Sequence, residues 1–162
     1  MKKRISLEDK FFVAGSTGMA GSAICRTLRK HNYGDIKNNG CLYTPKRKEL
    51  NLLDKKKVEN WFDCYKPDVV ILAAGKVGGI MANSTMPTEF LLENLKIQSN
   101  VIETAWASGV KRLLFLGSSC IYPKYSKQPI KEEYLLKGEL EPTNEPYAIA
   151  KIAGIKLCQS LK

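Results

Sequence analysis

Phe11-Phe12-Val13-Ala14-Gly15-Ser16-Thr17-Gly18-Met19-Ala20-Gly21-Ser22-Ala23-Ile24 decides the fold of this chain. The apolar run Phe11 to Ala14 reads as a short strand, the glycines at 15, 18 and 21 as a tight turn, and Ser22 to Leu28 as the opening of a helix. Glycines at such a turn let the backbone approach a pyrophosphate, while the free amides and dipole of the helix N-terminus attract its charge. The order of strand, glycine turn and helix is the setting in which a dinucleotide is bound. The spacing G-x-x-G-x-x-G differs from the G-x-G-x-x-G fingerprint by moving the middle glycine one residue later. The glycines alone could also be a flexible turn.

Outward from this stretch, strands are expected at Lys10 to Ala14, Cys41 to Thr44, Val69 to Ala73 and Arg112 to Leu116, each short and apolar. Helices are expected at Gly21 to His31, Lys55 to Tyr65, Pro87 to Ser108 and Tyr147 to Leu161. This alternation predicts parallel pairing through right-handed crossovers, hence an α/β, doubly wound parallel sheet of the Rossmann kind. Asn32 to Gly40 reads as a surface loop, and Tyr125 to Glu133 as an irregular polar one. His31 is expected to close the first helix, near its dipole.

The 162 residues, 44% of them hydrophobic, suffice for one core, so residues 1–162 are read as one domain. No apolar run approaches the roughly 20 residues that span a bilayer, and Met1 to Asp9 lacks the apolar stretch of a signal peptide, so a cytoplasmic location and no membrane are expected. Five cysteines without a C-x-x-C, and a single histidine, make neither a zinc site nor an even disulfide framework; the thiols should be reduced, and no metal is expected. The formal net charge of +10 is spread along the chain without an array of stacking aromatics, which argues for solvated helix faces and against nucleic acid. Such a basic field also suits polyanionic ligands.

Two further segments carry chemistry. Gly117-Ser118-Ser119-Cys120-Ile121-Tyr122-Pro123 puts hydroxyls at a strand tip, and Asn144-Glu145-Pro146-Tyr147-Ala148-Ile149-Ala150-Lys151 puts a phenol and an ammonium one helical turn apart on one face. Ser118 would hold a carbonyl oxygen while Tyr147 exchanges a proton with it, the Lys151 ammonium lowering the phenol's pKa from its usual ~10. The second strand is followed by Pro45-Lys46-Arg47-Lys48 with no carboxylate before Glu49. An acidic residue there would repel a 2′-phosphate, so NADP is favoured over NAD, and the fork of Arg47 suits the phosphate.

The glycine motif, the serine motif and Tyr-x-x-x-Lys together resemble an extended short-chain dehydrogenase/reductase. Within that superfamily, Gly18 to Ile24, Glu49 to Asp54, Lys76 to Ile80, Gly117 to Lys124 and Glu141 to Cys158 are similar to the GDP-L-fucose synthase family. The resemblance covers nearly the whole chain, but the family's chains are about twice as long. It therefore implies an incomplete Rossmann domain that lacks the later strands and the C-terminal substrate domain. It implies an oxidoreductase and isomerase that converts GDP-4-keto-6-deoxy-D-mannose to GDP-L-fucose with NADPH, inverting C3 and C5 and then reducing the C4 ketone.

By the same resemblance, the catalytic residues are Ser118, Cys120, Tyr147 and Lys151, with Cys120 as the acid or base at C3 and C5; on the residues alone, Cys120 reads rather as a buried apolar thiol just past a strand. Cofactor contacts are implied for Gly15, Thr17, Gly18, Met19, Gly21, Arg47, Asn51, Leu52, Ala73, Ala74 and Lys151. Thr17 stands where the family commonly has a second phosphate arginine, so weaker NADPH binding is expected. The family pairs its cysteine with a histidine downstream of the Tyr147 helix, beyond Lys162, so this polypeptide alone is expected not to complete the reaction. Ala73 to Ile80 should pass the cofactor's ribose, with Asn83 and Asn94 on or near the long helix that follows. By analogy the full-length form is a homodimer. The alternatives are another nucleotide-sugar epimerase or dehydratase with bound NAD, and a non-catalytic dinucleotide-binding fragment.

Overall fold

The computed structural model describes residues 5–161. The part of the amino-terminal reading that rests on Met1 to Arg4 lies outside the described residues. In chain order the elements are β1 (Lys10–Ala14), α1 (Met19–Lys30), β2 (Cys41–Tyr43), α2 (Lys55–Tyr65), β3 (Val69–Leu72), α3 (Ile80–Thr85), α4 (Pro87–Ala107), β4 (Arg112–Phe115) and α5 (Glu145–Ser160). Short 3-10 turns lie at Ile36–Asn38, Ser119–Ile121, Glu132–Tyr134 and Pro142–Asn144. They fall into two compact units, one formed by the residues up to Gly75 with Ile97–Leu116, the other by Lys76–Lys96 with the residues from Gly117.

The first unit is a four-stranded, wholly parallel sheet in the order β2-β1-β3-β4. Alternation along β1 assigns a helix to each face. Val13 packs with Cys25 of α1 and Ile71 of β3, and with the partly buried Ile24, Leu28 and Leu42. Its neighbour Phe12 turns to the opposite face, its ring 4.4 Å from Trp61 and 5.7 Å from Phe62 of α2. The far half of α4 shares that second face, where Val101, Ile102 and Ala105 are buried. There Lys55 of α2 meets Glu103 at 2.9 Å, and Asn100 Nδ2 donates to the Leu52 carbonyl at 2.8 Å. The chain moves outward one way from β1 to β2 and the other way from β3 to β4, which makes the carboxyl ends of β1 and β3 the switch point where this architecture binds ligands.

The opposite end of the sheet is braced by charge. Lys111 Nζ lies 2.8 Å from Asp9 Oδ1 and 3.0 Å from Asp68 Oδ1. The second oxygens of these carboxylates accept the backbone N–H groups of Ser6 and Lys10.

In the second unit, α3 packs on the Pro142–Asn144 turn, and α5 packs on that turn and on Ser119–Ile121. Phe90, Ala148, Ala150 and Ile152 are buried. Asn94 clamps the loop before α3: its Nδ2 donates to the carbonyls of Lys76 (2.9 Å) and Phe90 (2.7 Å), and its Oδ1 accepts the Lys76 N–H at 2.9 Å. The sequence does not anticipate α3, because Ile80 and Met81 are exposed and Asn83 is its one buried residue, so no apolar stripe marks it. The other elements lie within two residues of expectation, the usual extent of fraying at helix ends. Among the described residues no helix is long and apolar enough to cross a membrane. All five cysteines are free thiols.

Candidate active site

In the first unit the glycine turn sits at the switch point. Gly15 has φ +84°, and a Cβ there would lie 2.6 Å from the Ala74 nitrogen, so only glycine lets the β1 turn touch the end of β3. A Cβ on Gly21 would collide with the Gly15 carbonyl, so Gly21 is what allows α1 to start tight against the turn. Gly18 is the N-cap of α1, with no side chain capping that end and no acidic residue in its first turn. The amides there are left to an anion, and the helix dipole favours one. Ser16 Oγ donates to the Thr44 carbonyl at 3.4 Å, drawing the end of β2 and the Pro45–Lys48 turn toward the glycines. Met19, Thr17 and Arg47 are exposed. Asn51 Oδ1 accepts the Leu53 N–H at 3.2 Å, and Leu52 is held by Asn100. The small side chains, the uncapped helix and the basic turn fit the pyrophosphate and 2′-phosphate of a dinucleotide.

The second unit brings the chemistry-bearing side chains together around a cavity of about 300 Å³, whose lining includes Ser118, Cys120, Tyr147, Asn83, Asn144 and Phe90. Ser118 is extended, and the Ser119–Ile121 turn that follows swings Cys120 back so that Ser118 Oγ and Cys120 Sγ stand 3.1 Å apart in a hydrogen bond either can donate. α5 starts at Glu145 with Pro146 in its first turn, where a missing N–H costs nothing, and carries Tyr147 against Phe90 with ring centroids 6.4 Å apart. Lys151 does not line the cavity; it is buried one turn further along, its Nζ 5.9 Å from the centre of the Tyr147 ring.

Burial raises the pKa of the Tyr147 phenol, and Cys120 raises it further, while a hydrogen bond to Ser118 pulls the other way. Burial lowers the Lys151 ammonium, opposed by Cys120. The expected lowering of the phenol by Lys151 is thus reversed: desolvation disfavours charge on both groups, and the ammonium lies over the ring. The Tyr147 phenol therefore keeps its proton at neutral pH. Of the residues named from sequence, Ser118, Cys120 and Tyr147 meet at one cavity, Lys151 supports Tyr147 from behind, and Gly15, Ala73 and Ala74 meet at the switch point. Sequence reading passed over Asn144, although it lies three residues before Tyr147, and Ser16, whose role depends on a partner in β2.

Residues 11–162 match the profile of the NAD dependent epimerase/dehydratase family. The chain belongs to that family. It is 55% identical to the GDP-L-fucose synthase of Escherichia coli over 153 residues, covering 94% of this chain and 46% of the relative. With GDP-L-fucose synthase 1 of Arabidopsis thaliana the identity is 54%, again over 94% of this chain and 46% of the relative. A solved GDP-mannoheptose C4 reductase from Campylobacter jejuni with NADP bound superimposes with a TM-score of 0.89 at 38% identity, covering 97% of this chain and 48% of that one. The chain spans about half the length of the curated relatives it matches. The parallel sheet and glycine turn are what this family uses to hold a dinucleotide.

Proposed function

We propose that this chain carries the cofactor-binding and catalytic portion of an NADPH-dependent GDP-L-fucose synthase, an epimerase-reductase acting on GDP-4-keto-6-deoxy-D-mannose. The observation that carries this reading is the convergence of the Ser118 hydroxyl, the Cys120 thiol and the protonated Tyr147 phenol on one cavity. The names of relatives above 50% identity support it, as does the NADP bound to the reductase of similar fold. In this reading residues 1–162 form the NADP-binding domain. Partners are a GDP-sugar and, in the full-length form, a second copy; the location is cytoplasmic.

The division of labour follows from the site. Ser118 donates to the C4 carbonyl oxygen of the sugar. Cys120, hydrogen-bonded to Ser118, is the base that takes the proton from one face of a carbon flanking that ketone or the acid that delivers one to a face, depending on the carbon and step, and the intervening enolate is stabilised by the Ser118 and Tyr147 donors. Bound NADPH would supply the hydride for C4. Tyr147, kept neutral by burial, gives its proton to the C4 oxygen, and the Lys151 ammonium over the ring stabilises the phenolate that this leaves. Arg47 and the α1 N-terminus hold the cofactor phosphates.

Two measurements test this. Fluorescence titration should show NADPH binding at least about tenfold tighter than NADH, the worth of one charge-assisted phosphate contact; equal or stronger binding of NADH would favour an epimerase or dehydratase that retains NAD. Incubation of the ketosugar in heavy water should give deuterium at C3 or C5 with this chain and none with Cys120→Ala. NADPH binding without any ketosugar exchange would leave a cofactor-binding module only.

A further inference from the structure

Two buried acceptors on residues that line the cavity are left over once every role above has been assigned. Asn83 is 6% exposed, and its Nδ2 donates to the carbonyls of Gly78 at 3.0 Å and Gly79 at 3.1 Å. Those two bonds fix the orientation of the amide, because turning it over would set Oδ1 against two carbonyl oxygens. Oδ1 is therefore an acceptor by construction, and it is buried with no hydrogen-bond partner in the protein. Asn144 repeats the situation: it precedes α5, its side chain does not cap that helix, and its Oδ1 is likewise buried and unpartnered. Both residues line the cavity that holds Ser118, Cys120 and Tyr147.

A buried amide oxygen without a donor loses its hydration for nothing in return, so the folded chain has no structural use for either group in this state. The contrast with Asn94 is direct, since both ends of its amide are hydrogen-bonded to the backbone and hold a loop. What Asn83 and Asn144 lack is a donor. A ketone, a phosphate or an apolar group offers none, whereas a sugar hydroxyl does.

We infer that Asn83 and Asn144 bind the sugar ring, each accepting a hydrogen bond from a ring hydroxyl. The cavity then sorts the substrate by polarity: Ser118 and Tyr147 donate to the carbonyl oxygen, and the two asparagines accept from hydroxyls near it. A ring with that carbonyl but without the hydroxyls is rejected, because it leaves the buried acceptors unpaired. The need for two donors rests on the cavity itself; the assignment to the C2 and C3 hydroxyls of a 4-keto hexose rests on the proposed function.

The test is an NMR titration of the ¹⁵N-labelled chain with GDP-4-keto-6-deoxy-mannose and with the same nucleotide sugar lacking the C3 hydroxyl, for the wild type, Asn83→Ala, Asn144→Ala and Ser118→Ala. Each asparagine variant should weaken binding of the hydroxylated sugar about three- to tenfold, as should removal of the hydroxyl with the wild type. The variant that faces C3 should show no further loss with the deoxy sugar. Where Asn83→Ala does not fold, since its amide also ties Gly78 and Gly79, Asn144→Ala and the wild type with the two sugars decide. Equal affinity of the wild type and the asparagine variants for both sugars, with Ser118→Ala still weakened, overturns this inference and leaves the proposed function standing. A wild type that binds neither sugar sinks both.

Discussion

Tyr147 shows how one residue's chemistry depends on surroundings that its motif does not contain. The phenol is raised by burial first and by Cys120 second, so its acid form persists through neutral pH and is lost only on the alkaline side of the ordinary tyrosine range. Removing the thiol in Cys120→Ala should shift Tyr147 ionisation to lower pH, read as tyrosinate absorbance that Tyr147→Phe abolishes; an unmoved titration would mean that the thiol carries no influence on the phenol. Tyr147→Phe should also slow C4 reduction by a factor on the order of 10² to 10⁴, measured in any form of the enzyme that turns over. At the cofactor end, Arg47→Ala should weaken NADPH about tenfold while leaving NADH binding nearly unchanged. A loss shared equally by both cofactors would point to a fold defect and away from a 2′-phosphate contact.

Among the elements, the β1 to α1 junction is the least tolerant of change. Any side chain at Gly21 meets the Gly15 carbonyl, so Gly21→Ala must lift α1 from the turn, at about 1–3 kcal/mol and with loss of NADPH binding. Urea unfolding beside a cofactor titration checks both, and an unchanged midpoint would show that the helix start can shift freely. The element boundaries were legible because glycine spacing and apolar alternation are local properties, and β1, α2 and the long α4 follow them closely. The short α3 was not legible, since it is held by Asn83 and its Gly79 N-cap and not by an apolar face.

For the whole molecule, the ion cluster at the base of the sheet joins the starts of β1, β3 and β4 through Lys111. Burial alone would raise the Asp68 carboxyl, but the Lys10 N–H and the Lys111 ammonium outweigh it and hold its pKa below the ordinary value. A carboxyl lowered in the folded state gives stability that is present above its unfolded pKa and lost as pH falls through the folded one. Lys111→Met should therefore cost about 2 kcal/mol at neutral pH, because it strands the buried Asp9, and should flatten the dependence of stability on pH at the acid end. Thermal melts across that range would refute the brace if both proteins lost stability in parallel. The sequence by itself determined the strand and helix order, the parallel Rossmann sheet, the glycine turn, and Ser118, Cys120, Tyr147 and Lys151 as residues of interest, since each is written in spacing over a few residues. Only the tertiary structure decided that burial raises the Tyr147 phenol, that Lys151 lies buried against its ring, and that Asn83 and Asn144, which line one cavity, carry unpaired acceptors. Burial and hydrogen-bond pairing are set by groups far apart along the chain, and no local pattern encodes them.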